Sequence, residues 1–235
     1  MSRILITPRS LSSGGHPALA ALEEAGFELV MPAPGETPSE AALLAAVPGC
    51  VGVEPVSEAV IEAATDLRVI SRNGSGIDNL PLAALERRGI ALRRAEGTNA
   101  RGVAELALTL ALSGLRDIVP THAGLQEGGW PRRTGSEIQG AAVGVVGLGA
   151  IGASFAEFCL TLGAEVRGFD PFAPQDRLAH PAFLRGDLAR TLAGAGVVSL
   201  HAPMPTDGRP VLGGAELALL APGAVVVNTA RAGLV

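Results

Sequence analysis

The sequence has few of the features that mark secreted or disulfide-rich proteins. Its 235 residues include only two cysteines, Cys50 and Cys159, which stand 109 positions apart in apolar contexts. We interpret them as reduced thiols of a cytoplasmic protein, with a single disulfide as the alternative. The amino-terminal segment MSRILITPRS has no long apolar run and no small-residue cleavage site, so no signal peptide is predicted.

Long apolar runs and an excess of positive charge are also missing. The longest apolar stretches, such as AAVGVVGLGAI, fall short of the roughly 18 residues that a membrane-spanning helix needs. The net charge of −5 argues against nucleic acid or an anionic membrane surface as the main partner. The composition therefore predicts a soluble, cytoplasmic protein with no nucleic-acid partner, no membrane partner and no metal site.

What the chain does contain is a regular alternation of short β-branched segments and Ala/Leu-rich amphipathic segments. This alternation is typical of parallel βαβ units. The composition changes near residue 97, and one long helix is predicted over 99–119. We therefore predict an α/β fold with parallel sheets in two domains, 1–97 and 98–235, with the long helix as a rigid connector.

A glycine-rich segment, VGVVGLGAIG, carries the clearest binding signal. Gly147, Gly149 and Gly152 have G-x-G-x-x-G spacing between a predicted strand and a predicted helix. The first glycine permits a tight turn, the second lets a pyrophosphate approach the backbone, and the third lets helix and strand pack closely. The helix amino terminus then offers N–H groups to the phosphates. A glycine-rich turn without a ligand is the alternative.

An acidic residue strengthens this signal. The next predicted strand ends in Asp170, 18 positions after Gly152, where a carboxylate can accept hydrogen bonds from both hydroxyls of an adenosine ribose. The following residues are Pro-Phe-Ala, with no Arg or Lys, which favours NAD over NADP because Asp170 would repel a 2′-phosphate. A methyltransferase usually has glycine where this chain has Ile151.

Several segments, taken together and in order, resemble the D-isomer-specific 2-hydroxyacid dehydrogenase family, close to its phosphoglycerate dehydrogenase-like branch. They are SRNGSGIDNLPLAA (71–84), NARGVAELAL (99–108), GGW (128–130), VGVVGLGAIG (143–152), Asp170, HAP (201–203) and NTARAGLV (228–235). The resemblance implies a flavodoxin-like substrate domain over 1–97 and a Rossmann domain that binds NAD over 98–235. It also implies an oxidoreductase that interconverts a 2-hydroxy acid and a 2-oxo acid, assembled as a homodimer through the cofactor domain and the connector helix.

The resemblance assigns roles to particular residues. Arg231 is expected to be the catalytic arginine, which grips the substrate carboxylate and polarises the C–O bond across which hydride moves. The residues expected to hold NAD are Gly147, Gly149, Ala150, Ile151, Gly152, Asp170, His201, Ala202, Pro203, Thr229 and Ala230.

The loop Arg72, Asn73, Gly74, Ser75 and Gly76 is expected to bind the substrate, with its backbone N–H groups meeting the carboxylate. Arg72 suits a substrate with an anionic tail, and a solvent-exposed surface arginine is the equal alternative. Phosphoglycerate, sulfolactate-like acids and simple 2-hydroxy acids all stay open as substrates.

The sequence departs from the family at one decisive point. The family's mechanism also needs a glutamate and a proton-transferring histidine, and both would lie downstream of Val235. We therefore expect the Rossmann domain to be incomplete at its C-terminal end and the 235-residue chain to be inactive or nearly so. The alternative is a non-catalytic NAD(H)-binding module, such as a redox sensor or a corepressor-like protein.

Overall fold

The structure is a computed structural model that describes residues 3–12, 16–32, 38–45, 49–51 and 54–235. The chain divides into two units, Met1–Thr98 and Asn99–Val235. No helix within the described ranges has both the length and the hydropathy needed to cross a bilayer. The side chain of Cys50 lies outside the described part, and Cys159 is a buried free thiol.

The first unit is built on a parallel five-stranded sheet in the order β2-β1-β3-β4-β5. Its strands are β1 (Arg3–Ile6), β2 (Glu28–Val30), β3 (Gly49–Val51), β4 (Val69–Arg72) and β5 (Ala91–Arg94). Its helices are α1 (Arg9–Ser12), α2 (Pro17–Glu24), α3 (Glu40–Ala45), α4 (Glu58–Ala63) and α5 (Leu82–Arg87). This strand order is that of flavodoxin-like folds.

The second unit contains another parallel five-stranded sheet, in the order β10-β9-β6-β7-β8. Its strands are β6 (Ala142–Val146), β7 (Glu165–Phe169), β8 (Phe183–Arg185), β9 (Val197–Leu200) and β10 (Val225–Asn228). Its helices are α6 (Ala100–Leu115), α7 (Ile118–Gln126), α8 (Ala150–Thr161), α9 (Leu188–Leu192) and α10 (Gly214–Leu217), followed by a 3₁₀ turn, Ala232–Leu234. Because β9 lies on the opposite side of β6 from β7, the strand order reverses at the β6–β9 pair, as in a Rossmann sheet. The predicted α/β class with parallel sheets is confirmed.

Local sequence explains where several helices begin. Ser57 accepts a hydrogen bond from the Val60 N–H at 3.3 Å, and Asp187 accepts one from the Arg190 N–H at 2.7 Å. Such oxygens satisfy N–H groups that have no partner within the helix. Pro17 is the first residue of α2, where a missing N–H costs nothing.

The predicted single helix over 99–119 is wrong, because α6 ends at Leu115 and α7 begins at Ile118. Asp117 between them adopts a left-handed conformation with φ of 49°. Pro120 is the physical reason, since it lacks the N–H that a continuous helix would need and its ring would clash with the carbonyl four residues earlier. In the first turn of α7 the same proline is tolerated.

The core of the second unit explains why α6 is rich in small residues. Ala104, Ala107 and Ala111 are fully buried in one cluster with residues of β6, α8 and β9. At Gly114, an added Cβ would lie 2.6 Å from a methyl group of Val225 on β10. The helix therefore packs closely on a face of the sheet. The loops of the candidate site lie elsewhere, at the carboxyl ends of the strands.

Candidate functional site

The turn between β6 and α8 is shaped by two glycines that have no room for a side chain. Gly147 has φ of 90°, and a Cβ there would lie 2.7 Å from the Ala202 nitrogen, so the end of β9 passes directly beside it. A Cβ on Gly152 would lie 1.9 Å from the Gly147 carbonyl oxygen. These close approaches fold the turn onto the sheet, as the spacing predicts.

The middle glycine of the motif differs from the other two. Gly149 is exposed, and a Cβ added to it would have no atom within 4 Å. It precedes α8, whose first residues, Ala150 and Ile151, present N–H groups without intrahelical partners. The backbone here is thus open on its outer side and carries the positive end of a helix dipole, which suits a phosphate.

Asp170 follows β7 and is held by backbone N–H groups. Its Oδ2 accepts from Leu148 at 2.8 Å, and its Oδ1 accepts from Phe172 at 2.8 Å and from Ala173 at 3.0 Å. Burial opposes ionisation, but these three donors and the charge of Arg185 outweigh it and hold the pKa of Asp170 below its ordinary value. The carboxylate stays ionised, and Oδ2 keeps acceptor capacity for a hydroxyl group.

His201, the first residue after β9, has an unusual environment. Its Nε2 lies 2.9 Å from the Oγ of Ser199, which is fully buried, and its ring lies 5.4 Å from that of Phe155. Burial lowers the pKa of His201 to about 4. The imidazole is therefore neutral at physiological pH and is a poor proton donor there. Ala202 and Pro203 continue from it along the same strand end.

The segment after β10 is fixed by a residue that the sequence reasoning missed. Asn228 Nδ2 donates to the Arg231 carbonyl at 2.8 Å, and its Oδ1 accepts from the Ala230 N–H at 3.1 Å. An asparagine at the end of a strand commonly bonds to the backbone of the turn that follows. The position of Asn228 in the sequence could therefore have indicated this role. Arg231 is exposed, and its Nη1 donates to the Ala230 carbonyl at 2.9 Å.

In the first unit, the loop after β4 folds back onto its own arginine. Arg72 is only 9% exposed, so it is not the solvent-exposed surface arginine that was the alternative. Its Nη1 donates to the Asn73 carbonyl at 2.7 Å, and a Cβ on Gly74, whose φ is 143°, would lie 3.0 Å from this nitrogen. The Gly74 N–H donates to the Arg72 carbonyl at 2.9 Å. This amide bonds inside the loop, and the substrate-binding role expected of the loop stays a prediction.

The other residues of this loop are anchored to neighbouring segments. Asn73 Nδ2 donates to the Oγ of Ser10 at 3.1 Å, and the Ser75 hydroxyl donates to the Ala95 carbonyl at 3.3 Å. Gly76 is half-buried. The loop is thus tied to the segments after β1 and after β5, at the carboxyl edge of its sheet.

Some buried polar atoms of the candidate site residues have no hydrogen-bond partner. In the described part of the chain, three buried side-chain atoms have no hydrogen-bond partner: Arg72 Nε, His201 Nδ1 and Thr229 Oγ1. Leu200 and Asn228 are paired in register, so His201 and Thr229 follow neighbouring strands at the same edge of the second sheet. Since buried polar groups are nearly always hydrogen-bonded, unpaired ones at a strand edge fit a site that receives a polar ligand. The open backbone at Gly149 fits a dinucleotide equally well.

Comparison with known proteins points to one family. Residues 108–235 match the family model described as D-isomer specific 2-hydroxyacid dehydrogenase, NAD binding domain. A D-3-phosphoglycerate dehydrogenase of Archaeoglobus fulgidus is 34% identical over 182 residues, which are 77% of this chain and 34% of that protein. An (S)-sulfolactate dehydrogenase of Chromohalobacter salexigens is 38% identical over 173 residues, 72% of this chain and 56% of that protein.

Solved structures agree on the fold. A 3-phosphoglycerate dehydrogenase of Entamoeba histolytica with bound NAD⁺ matches 100% of this chain and 73% of its own with a TM-score of 0.79, at 24% identity. At this identity the match concerns the fold alone. The chain spans about a third of the length of the curated phosphoglycerate dehydrogenases from archaea that it matches, at 34% and 35%.

The buried, neutral His201 predicts how stability depends on pH. Its folded-state pKa of about 4 lies below the roughly 6.5 of an unfolded histidine. Its contribution to stability is therefore complete above pH ~6.5 and is lost as the pH falls towards the folded-state value. His201→Gln keeps a polar group for Ser199 but does not titrate. Between pH 7 and pH 5, we expect the free energy of unfolding of this variant to fall by about 1–2 kcal/mol less than that of the parent.

Urea unfolding of both proteins at the two pH values measures this difference. Equal losses of unfolding free energy in parent and variant would show that His201 is not held neutral by burial.

Proposed function

This chain belongs to the D-isomer specific 2-hydroxyacid dehydrogenase family, and we propose that it binds the cofactor and the substrate of an NAD-dependent oxidoreductase. The reaction is the interconversion of a 2-hydroxy acid and a 2-oxo acid. The main observation behind the proposal concerns the three glycines of the turn. An added Cβ would clash with neighbouring atoms at Gly147 and Gly152, whereas it would meet no atom within 4 Å at Gly149. We assign cofactor binding to the unit 99–235 and substrate binding to the unit 1–98.

The second unit has a group for each part of the dinucleotide. The N–H groups at Ala150 and Ile151 would bind the pyrophosphate over Gly149. The Oδ2 atom of Asp170 would accept from the adenosine ribose, and its charge disfavours the 2′-phosphate of NADP. The nicotinamide half would lie at the ends of β9 and β10, along His201, Ala202, Pro203, Thr229 and Ala230, where the two unpaired polar atoms of this unit are found.

Arg231 is the residue of this unit suited to act on the substrate. Its guanidinium is permanently charged and can bond to a carboxylate and to the oxygen on C2 with a planar fork of donors. Asn228 fixes the backbone that carries it, because it bonds on both sides of the turn. When bound, NAD⁺ accepts the hydride that leaves C2 of a hydroxy acid. Arg231 would stabilise the negative charge that develops on the C2 oxygen as the hydroxyl proton passes to a separate base, and it would stay bonded to the carbonyl oxygen that forms when the hydride leaves.

The substrate class follows from Arg72. This arginine is buried, charged and unpaired at Nε, at the carboxyl edge of the first sheet. Such a group is costly to bury without an anion, so we propose a 2-hydroxy acid with an anionic tail. The phosphoglycerate and sulfolactate dehydrogenases that resemble this chain are named for acids of that kind.

Alanine substitutions in the glycine turn test the cofactor site. Gly149→Ala adds a methyl group to open space, so we expect unchanged thermal stability but NADH binding weakened about 10-fold or more, since the pyrophosphate loses its closest approach. Gly152→Ala instead forces a contact of 1.9 Å and should lower stability as well. Fluorescence titration with NADH and a thermal melt measure both effects. Tight NADH binding by Gly149→Ala would contradict the proposal.

The chemistry of the 235-residue polypeptide is a second test. His16, His122 and His180 are exposed, and His201 is neutral, so none of its four histidines is suited to pass a proton at the strand edge. We expect the NADH-loaded protein to bind 3-phosphohydroxypyruvate, a 2-oxo acid with an anionic tail, but to oxidise NADH about 10² to 10⁴ times more slowly than an ordinary dehydrogenase. Turnover at an ordinary enzymatic rate would refute this expectation.

Arg231 decides between an enzyme-type site and the sensor alternative. Arg231→Ala should weaken 3-phosphohydroxypyruvate binding about 10-fold or more, because a charge-assisted pair is lost. Arg209→Ala, at another exposed arginine beside Asp207, is the matched control. NADH binding with no affinity for any 2-oxo acid would favour a non-catalytic NAD(H)-binding module.

We further propose a homodimer formed through the second unit. Large apolar side chains are exposed along α6, α7 and the loop after them: Leu106, Leu110, Ile118, Val119, Leu125 and Trp130. Leu106 and Leu110 are four residues apart and so are neighbours on the surface of α6, where both are exposed. Exposed apolar side chains concentrated in this way are typical of an interaction surface.

A charge placed on this surface tests the dimer. Leu110→Glu should convert a dimer into a monomer in sedimentation or light-scattering measurements, because a carboxylate is not tolerated in an apolar interface. Leu184→Glu, at a leucine that is 65% exposed on β8, is the matched control and should leave the mass unchanged. A monomeric parent protein would contradict the proposal.

A further inference from the structure

Arg185, at the end of β8, reaches across to the loop that follows β7. Its Nη2 donates to the carbonyls of Asp170 and Ala173, the latter at 2.7 Å, and its Nη1 donates to the carbonyl of Pro174. One guanidinium therefore holds three backbone oxygens of a five-residue turn. The planar guanidinium, with five N–H donors in a fixed fork, is well suited to bond to several acceptors at once.

The same turn is the one that orients the Asp170 carboxylate. The carboxylate accepts from the N–H groups of Phe172 and Ala173, while the guanidinium binds the carbonyl groups of the turn. Ala173 takes part in both sets, since its N–H faces Asp170 and its oxygen faces Arg185. The position of the carboxylate thus depends on a turn whose shape Arg185 fixes from the other side.

We propose that Arg185 is a positioning residue that fixes the ribose-binding carboxylate of Asp170 and thereby sets affinity for the adenosine half of NAD(H). This inference rests on the NAD-binding function proposed above. The charge of Arg185 acts in the same direction, because it is among the causes that lower the pKa of Asp170. Nothing about this role was visible in the sequence, where Arg185 stands 15 positions from Asp170.

An arginine near this acid could instead bind the 2′-phosphate of NADP. The hydrogen bonds disfavour that role, since three of the five N–H donors of Arg185 already bond to carbonyl oxygens, two through Nη2 and one through Nη1. A phosphate would have to use the remaining N–H donors or replace these bonds, and it would also meet the charge of Asp170. Stronger binding of NADPH than of NADH by the parent protein would overturn the positioning role.

Arg167 provides a matched control on the neighbouring strand. It lies on β7, and its Nη1 also donates to two carbonyls, those of Arg190 at 3.0 Å and Ala193 at 2.7 Å. These carbonyls belong to the end of α9, not to the Asp170 turn. Arg167→Gln therefore removes a similar bridge to the backbone without touching the carboxylate.

The experiment compares Arg185→Gln, Arg185→Lys and Arg167→Gln with the parent. We expect Arg185→Gln to weaken NADH and ADP-ribose binding about 10-fold, as for the loss of charge-assisted hydrogen bonds. Binding of reduced nicotinamide mononucleotide, which lacks the adenosine, should not change. Arg185→Lys keeps the charge but not the fork and should restore less than half of the lost binding free energy. Arg167→Gln should bind all three ligands as the parent does.

Asp170→Asn completes a double-mutant cycle. If Arg185 acts through the carboxylate, Arg185→Gln should weaken NADH binding far less in the Asp170→Asn background than in the parent. Additive effects, or an equal loss for the mononucleotide, would overturn the inference. Thermal melts show whether each variant folds. If Arg185→Gln does not fold, Arg185→Lys is used in its place in the comparison with the parent. A parent that binds neither NADH nor ADP-ribose would refute the proposed function itself. If the parent binds both ligands and Arg185→Gln binds them with the same affinity, only this inference is refuted.

Discussion

The architecture of the second unit depends on the approach of the β9 end to the glycine turn. A side chain at Gly147 would overlap the backbone of His201 and Ala202, and one at Gly152 would overlap Gly147 itself. Because these positions have no side chain, the turn packs directly against the residues after β9, and α8 begins immediately after the open position Gly149. The same approach places Leu148 so that its N–H reaches Asp170. The open backbone at Gly149 and the Asp170 carboxylate, to which we assign the phosphates and the ribose, are therefore parts of one packed arrangement.

The sequence predicted this arrangement because its signals are local. Glycine spacing, an acid at the end of the next strand and a polar segment after a late strand each reflect a backbone requirement within a few residues. The break between α6 and α7 has a local signal too, Pro120, but the apolar pattern continues across it and favours a single helix. The burial of Arg72 and the contacts of Arg185 depend on how neighbouring strands pair, so no local pattern reveals them.

Electrostatics divides the site into groups with fixed protonation states. Backbone donors keep Asp170 ionised, although burial alone would raise its pKa. Burial keeps His201 neutral, with a pKa of about 4. Arg231 is cationic at any pH that a protein tolerates. Around neutral pH, none of these three groups changes its charge, so the binding that we propose for them should vary little with pH.

This constancy has a consequence for the chemistry. Oxidation of a 2-hydroxy acid releases the hydroxyl proton, and an efficient acceptor has a pKa near the working pH. Arg231 cannot accept a proton because it never loses one, and His201 is too weak a base because its pKa lies near 4. In the proposed reaction, the proton acceptor must therefore be a group other than Arg231 and His201. A bell-shaped pH dependence of this reaction would then report the ionisation of that acceptor, since Arg231 and His201 keep their charge states around neutral pH.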